Sequence, residues 1–230
     1  MQHPPVSRGT IVVWSDLSCP WATLALHRLR NARARLGLDG SLRLVHRAFP
    51  LELINARPTP KEMLESEMAI IGAKDTTLVM EGWSRAPYEW PGTVLVAMEA
   101  VQAAKADRVG GLRASEELDA ALRHAFFAES RPIQLLTEVL DVARSCPAVD
   151  ADALLDALTA GSGRRTVLED WRRAGELEIP GSPTFVLPDG QMVHNPGTVV
   201  KWQGKPGAGF PQIVSDDPSV YEQIVRAAAA

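Results

Sequence analysis

Apolar positions along this chain fall into two kinds of pattern. Short continuous runs, Ile11-Val12-Val13-Trp14, residues 42–49 and Thr184-Phe185-Val186-Leu187, are rich in β-branched and aromatic residues and bounded by turn chemistry, so each predicts a buried strand. Elsewhere the apolar residues recur every three or four positions, the period of a helix with one buried face. The first such stretch opens at Pro20, carries Trp21, Leu24, Ala25, Leu29, Ala32 and Leu36, and is stopped by Gly37. Strand, helix, strand predicts a parallel βαβ unit with a right-handed crossover. Active groups of such units gather at the carboxyl ends of the strands, where Asp16 and Cys19 fall.

From Thr59 to Gly175 the strand pattern stops and helical periods dominate. Thr59-Pro60-Lys61-Glu62 has the form of a capping box opening a helix to about Ile71. Residues 78–92, with Trp83, Tyr88 and Trp90 among glycine and prolines, read as a structured loop or short helical turns. Further helices are expected over 94–105, from a Ser115 cap to Phe127, over 133–144, over 150–160, and from a Ser162 cap to near Gly175 with Trp171 on its core face. The β pattern then returns at Thr184, and Pro188-Asp189-Gly190 is a turn that makes residues 191–194 an antiparallel partner. Residues 194–218 are rich in Gly and Pro and read as a loop, followed by a last helix over 219–228. The fold class is therefore α/β, with residues 9–58 and 162–230 forming one domain around an inserted helical domain, 59–161.

Composition adds exclusions. With 230 residues, 46% of them hydrophobic, the chain can bury a sizeable core; its net charge of -4 and lack of a basic cluster argue against nucleic acid or a membrane surface as partner. The first ten residues have no apolar segment resembling a signal peptide, so a cytoplasmic location is expected. Two cysteines are too few for a disulfide framework, and none of the five histidines stands in a metal-ligand spacing, so neither a metal nor a tightly bound cofactor is expected.

The candidate chemistry lies in Ser15-Asp16-Leu17-Ser18-Cys19-Pro20-Trp21-Ala22. Pro20 suits the first helical position and leaves Cys19 at the N-cap, where free N–H groups and the helix dipole favour a thiolate and predict a lowered pKa. Asp16 reads as a turn-former that accepts backbone N–H groups. Cys146, at a helix end before Pro147, reads as structural, and His27 and His194 are given no chemical role. Trp83 and Trp90, large rings on irregular chain, are candidates for the wall of an apolar substrate cleft.

The order strand, Cys-Pro-Trp at a helix start, strand, helical block, helix, Pro183 before a strand, hairpin and helix resembles the DsbA-like branch of the thioredoxin superfamily, and within it the FrnE-type cytoplasmic members. The resemblance spans roughly 10–227 and rests on SDLSCPWA and IPGSPTFVLPDG. It implies a thioredoxin-like fold with a large helical insertion over the active-site side. It also implies a cis Ser182–Pro183 bond lying against Cys19, Ser182 backbone groups that pair with substrate, and Trp21 at the site's border. Ala22 stands where dithiol members carry a second cysteine, so a complete intramolecular cycle is excluded here. The resemblance then implies monothiol disulfide exchange by Cys19, with a small thiol such as glutathione or mycothiol as co-substrate and a small-molecule or protein disulfide as partner. Two alternatives are a glutathione-dependent isomerase of the 2-hydroxychromene-2-carboxylate isomerase type and a non-catalytic binding module.

Overall fold

In the computed structural model, residues 3–204 and 209–230 are described. Strand β1 (Thr10–Ser15) leads through a short loop into helix α1 (Pro20–Arg35) and strand β2 (Arg43–Ala48). A single turn, α2 (Leu51–Ile54), and helix α3 (Lys61–Lys74) follow, then a 3-10 turn at Pro87–Glu89. Helices α4 (Leu95–Ala103), α5 (Gly111–Phe127), α6 (Leu136–Arg144), α7 (Ala151–Thr159) and α8 (Ser162–Glu176) precede strands β3 (Thr184–Val186) and β4 (Met192–His194). A second hairpin, β5 (Thr198–Gln203) and β6 (Phe210–Asp216), and helix α9 (Val220–Ala229) complete the chain.

The main sheet has the order β2-β1-β3-β4, with β1 parallel to β2 and antiparallel to β3. Strand β1 is apolar at nearly every position because both of its faces are covered. Ile11 and Val13 pack with Leu26 and Leu29 of α1 and with Tyr221, Ile224 and Val225 of α9, whereas Val12 and Trp14 face Ala174, Leu177 and Ile179 at the end of α8. Leu17 and Ala48, at the carboxyl ends of β1 and β2, join a third core built from α3 to α8, so the helical block sits on the end of the sheet where the candidate loop emerges. Helices α4 and α8 approach closely at Gly163, where a Cβ would collide with the backbone of Glu99.

Several expected boundaries move for identifiable reasons. The Thr59 capping box does not form: Pro60 occupies the N-cap of α3 without a side-chain cap, and the helix runs on to Lys74. Ser115 does not start a helix. Helix α5 begins at Gly111, and the fully buried Ser115 hydroxyl instead donates to the Val101 carbonyl of α4 at 2.8 Å. Gly161, at φ +70°, is the N-cap of α8, and the Ser162 hydroxyl turns back to the Ala157 carbonyl. Trp171 is exposed, at 37%, because α8 buries Val167, Asp170 and Ala174 instead.

The largest correction is the expected loop over 194–218. It contains the β5–β6 hairpin, although residues 205–208 lie outside the described residues. Its glycines and prolines masked an alternation that buries Thr198 and Pro211 and turns Val200 and Ile213 inward. The hairpin is fastened to α1 by Arg28, which donates to both Asp216 oxygens at 2.6 and 3.0 Å and, through Nε, to Asp75 at 2.9 Å.

Candidate active site

The loop between β1 and α1 is held by Asp16. One carboxylate oxygen accepts from the Ser18 N–H and hydroxyl, both at 2.7 Å, and the other from the Leu51 N–H at 2.8 Å. Its own N–H donates to the Ser182 hydroxyl at 2.9 Å, which ties the loop to the segment before β3. Burial pushes the Asp16 carboxyl up, against the hydrogen bonds from Ser18 and Leu51 and the charge of Arg123. Asp16 thus builds the turn.

Cys19 occupies the N-cap of α1 with extended dihedrals, and Pro20 follows at the first helical position. Its thiol donates to the Ser182 carbonyl at 3.4 Å, and the Ser182–Pro183 peptide bond is cis. The side chain is only 5% exposed and packs with Trp21, Ala22, Leu24 and Ile71. Leu51, Leu78, Met80, Val200 and Ile213 close the cluster from α2, the loop after α3, and the second hairpin.

The expected low pKa is overturned. Burial pushes the Cys19 thiol up to about 12, the charges of Glu67 and Asp16 add to the rise, and hydrogen bonds from Ser182 and the Ala22 N–H oppose it. A helix N-terminus offers only about half a charge, which does not offset removal of a thiolate from water beside two carboxyl groups. Cys19 rests as a thiol.

Glu67 was not visible as a site residue in sequence. It projects from α3, is 5% exposed, and accepts a hydrogen bond from Trp21; burial raises its pKa to about 7. Its signal was a glutamate on the apolar stripe of Leu64, Met68 and Ile71. Arg123 on α5 was missed as well: it is 2% exposed and reaches the carbonyls of Asp16 and Leu17. Its signal was an Asp119–Arg123 pair one turn apart within the face of Leu118, Leu122 and Phe126. His194, given no role in sequence, places Nδ1 2.9 Å from the Pro183 carbonyl, a contact that follows from its pairing opposite Thr184.

The remaining candidates separate. Pro20 and Ala22 are buried beside Cys19, with Ala22 turned fully into the core. Trp90 lines a narrow cleft with Asp16, Ser18, Glu52, Thr93 and Phe126. Trp83 stands behind it, its ring 5.1 Å from Trp90 and its indole N–H on the Ala86 carbonyl. Cys146 is in the helical core, its thiol donating to the Val142 carbonyl at 3.4 Å, and both cysteines are free. Among the described residues, no helix is long and apolar enough to cross a membrane.

A family model of the DSBA-like thioredoxin domain matches residues 10–199. No curated protein sequence matches the chain. Among solved structures, the chain is similar to the cytosolic disulfide reductase DsbM from Pseudomonas aeruginosa, with 20% identity over 80% of this chain and 87% of that one and a TM-score of 0.62. That reductase has also been solved with GSH. A structure described as a probable DsbA oxidoreductase from Streptomyces coelicolor shares 20% identity over 95% of this chain and 89% of its own, with a TM-score of 0.64. A 2-hydroxychromene-2-carboxylate isomerase shares 15% identity over 80% and 87%, with a TM-score of 0.59. At these identities the likenesses establish the fold.

Proposed function

The chain belongs to the DSBA-like thioredoxin domain family, and from that premise we propose that it is a cytoplasmic thiol–disulfide exchange enzyme of the FrnE type, working through Cys19 alone with a small thiol such as glutathione or mycothiol. The carrying observation is that the Cys19 thiol faces the Ser182 carbonyl in a site whose neighbouring position is Ala22, with Cys146 in a different core. The family membership and the GSH-bound reductase of the same fold support a small-thiol partner.

In this proposal an incoming disulfide takes the Ser182 backbone as its docking edge and displaces the S–H donation. Glu67 has a pKa near neutrality, and its charge opposes the Cys19 thiolate, so the two groups titrate as a coupled pair: protonation of Glu67 eases loss of the thiol proton to water. The thiolate attacks one sulfur of the disulfide. A Cys19–S bond forms, the substrate S–S bond breaks, and the leaving thiolate takes up a proton. A second small thiol then attacks the mixed disulfide, forming the new disulfide and returning Cys19 to its reduced state, so the protein shows no net redox change.

The resting thiol gives a second reading a specific basis. A cysteine that keeps its proton is a steady S–H donor, the group a glutathione-dependent isomerase needs to hold a co-substrate thiolate without forming a bond to it. One experiment separates the two. Incubation with oxidised glutathione followed by intact mass yields one glutathionyl adduct in the wild type and none in Cys19→Ser. The absence of any adduct overturns the exchange proposal, and turnover of an aromatic cis/trans substrate without consumption of thiol then selects the isomerase reading over a binding module.

A further inference from the structure

We propose that Arg123 is a positioning residue for Cys19: a guanidinium clamp from α5 that fixes the loop carrying the thiol against Ser182. The inference takes Cys19 as the reacting group, as above. Arg123 projects from the buried face of α5. Its Nη1 donates to the Asp16 carbonyl at 2.9 Å, the Thr23 hydroxyl at 3.2 Å and the Leu17 carbonyl at 3.4 Å, and Nη2 donates to the Ser15 hydroxyl at 2.9 Å. These four acceptors bracket Cys19, three before it and one in the first turn after it. Thr23 in turn donates to the Cys19 carbonyl at 3.1 Å, so the clamp reaches the cysteine's own backbone.

The clamp is itself fixed. Arg123 Nε donates to both oxygens of Asp119 at 3.1 Å, and Arg30 holds Asp119 from α1 at 2.8 Å. Burial opposes ionisation of Asp119, but the charges of Arg123, His46 and Arg30 outweigh it and hold the carboxyl well below its usual range. Only a planar fork serves so many acceptors at once; an ammonium is a single point with three donors. Without the guanidinium, the buried carbonyl of Leu17 loses its donor, that of Asp16 keeps only the Cys19 N–H at 3.4 Å, Asp119 loses a counter-charge, and the loop must shift to hydrate them. That shift opens Cys19 to water, which favours its thiolate.

Residue-resolved alkylation tests this without reference to any substrate. The full-length wild type, Arg123→Met and Arg123→Lys are treated with iodoacetamide over about pH 7 to 11, and Cys19 and Cys146 are quantified separately by peptide mass spectrometry. In Arg123→Met, Cys19 at about pH 8 reacts at least about tenfold faster than in the wild type, and its midpoint falls toward the unperturbed value of 9.0. Cys146, in the helical core, stays protected, and Arg123→Lys lies between. An unchanged Cys19 rate overturns the clamp, and so does a parallel rise at both cysteines, which marks general loosening. Should Arg123→Met not fold, Arg123→Lys carries the test, with a rise of at least about threefold confined to Cys19. A failed glutathionyl adduct defeats the exchange function while leaving this alkylation shift intact, so the two failures are distinguishable.

Discussion

The Cys19 sulfur lies 3.4 Å from the carbonyl oxygen of Ser182, 163 positions further along the chain. Because a carbonyl oxygen only accepts, this contact suits the protonated thiol. Burial and the charges of Glu67 and Asp16 act in the same direction.

This pairing fixes a pH signature for stability. The folded thiol is held at about 12, above the 9.0 of an unperturbed one. Below the unfolded value both states keep the proton. As pH rises from there toward the folded value, the unfolded chain ionises first and folding loses stability. Between about pH 8 and 10.5 the wild type should lose about 2 kcal/mol more than Cys19→Ala, measured by denaturant unfolding at both pH values. Equal losses would show that the thiol is not held protonated.

Glu67 has the same sign at lower pH. Its folded pKa of about 7 lies above the usual 4.5, so its contribution is complete below 4.5 and is lost as pH rises through 7. Glu67→Gln should therefore be more stable than the wild type by about 1–3 kcal/mol at pH near 8, and close to it at pH near 4. The same substitution should speed Cys19 alkylation at fixed pH by removing a nearby negative charge. A stability difference independent of pH would contradict the buried carboxylate.

Arg28, 7% exposed, holds the second hairpin to α1 by bonding Asp216, and the end of α3 by bonding Asp75. Burial pushes both carboxyls up, but bonding to Arg28 and, for Asp75, to Thr77 prevails and leaves them below their usual range. Their contribution is present above the unfolded carboxylate pKa and is lost as pH falls through the lowered folded values. Arg28→Met should cost about 3–5 kcal/mol near pH 7, with a smaller cost near pH 3, where the orphaned carboxyls protonate. Limited proteolysis should then cut first within β5–β6; a hairpin as resistant as in the wild type would mean that apolar packing alone suffices.

Trp90 and Trp83 should behave differently. Trp90→Ala removes a wall of the cleft beside Asp16 and Ser18 and should weaken capture of a disulfide substrate several-fold without altering Cys19 alkylation. Trp83→Ala, behind that wall, should chiefly lower stability, by about 2–4 kcal/mol for a half-buried indole. Indistinguishable capture by the wild type and Trp90→Ala, measured by adduct yield against substrate concentration, would remove this cleft from the substrate path.

Local pattern was enough for much of the fold. The apolar run before Asp16, the helical period from Pro20 and the turn Pro188-Asp189-Gly190 report the strands and helices they form, because burial of one or both faces of an element is written into its own residues. The position of Cys19 at a strand end and helix start was legible for the same reason. The second hairpin was not, because its stability comes from Arg28 on α1 and from packing of Val200 and Ile213 onto the Cys19 cluster. What the chain alone decided is that one thiol stands at a helix N-terminus with no second cysteine beside it. Its protonation was decided by tertiary structure: Glu67 from α3, Ser182 before β3 and the apolar wall of the second hairpin converge on Cys19 only in the folded protein, and burial with like charge outweighs the helix dipole that sequence reveals.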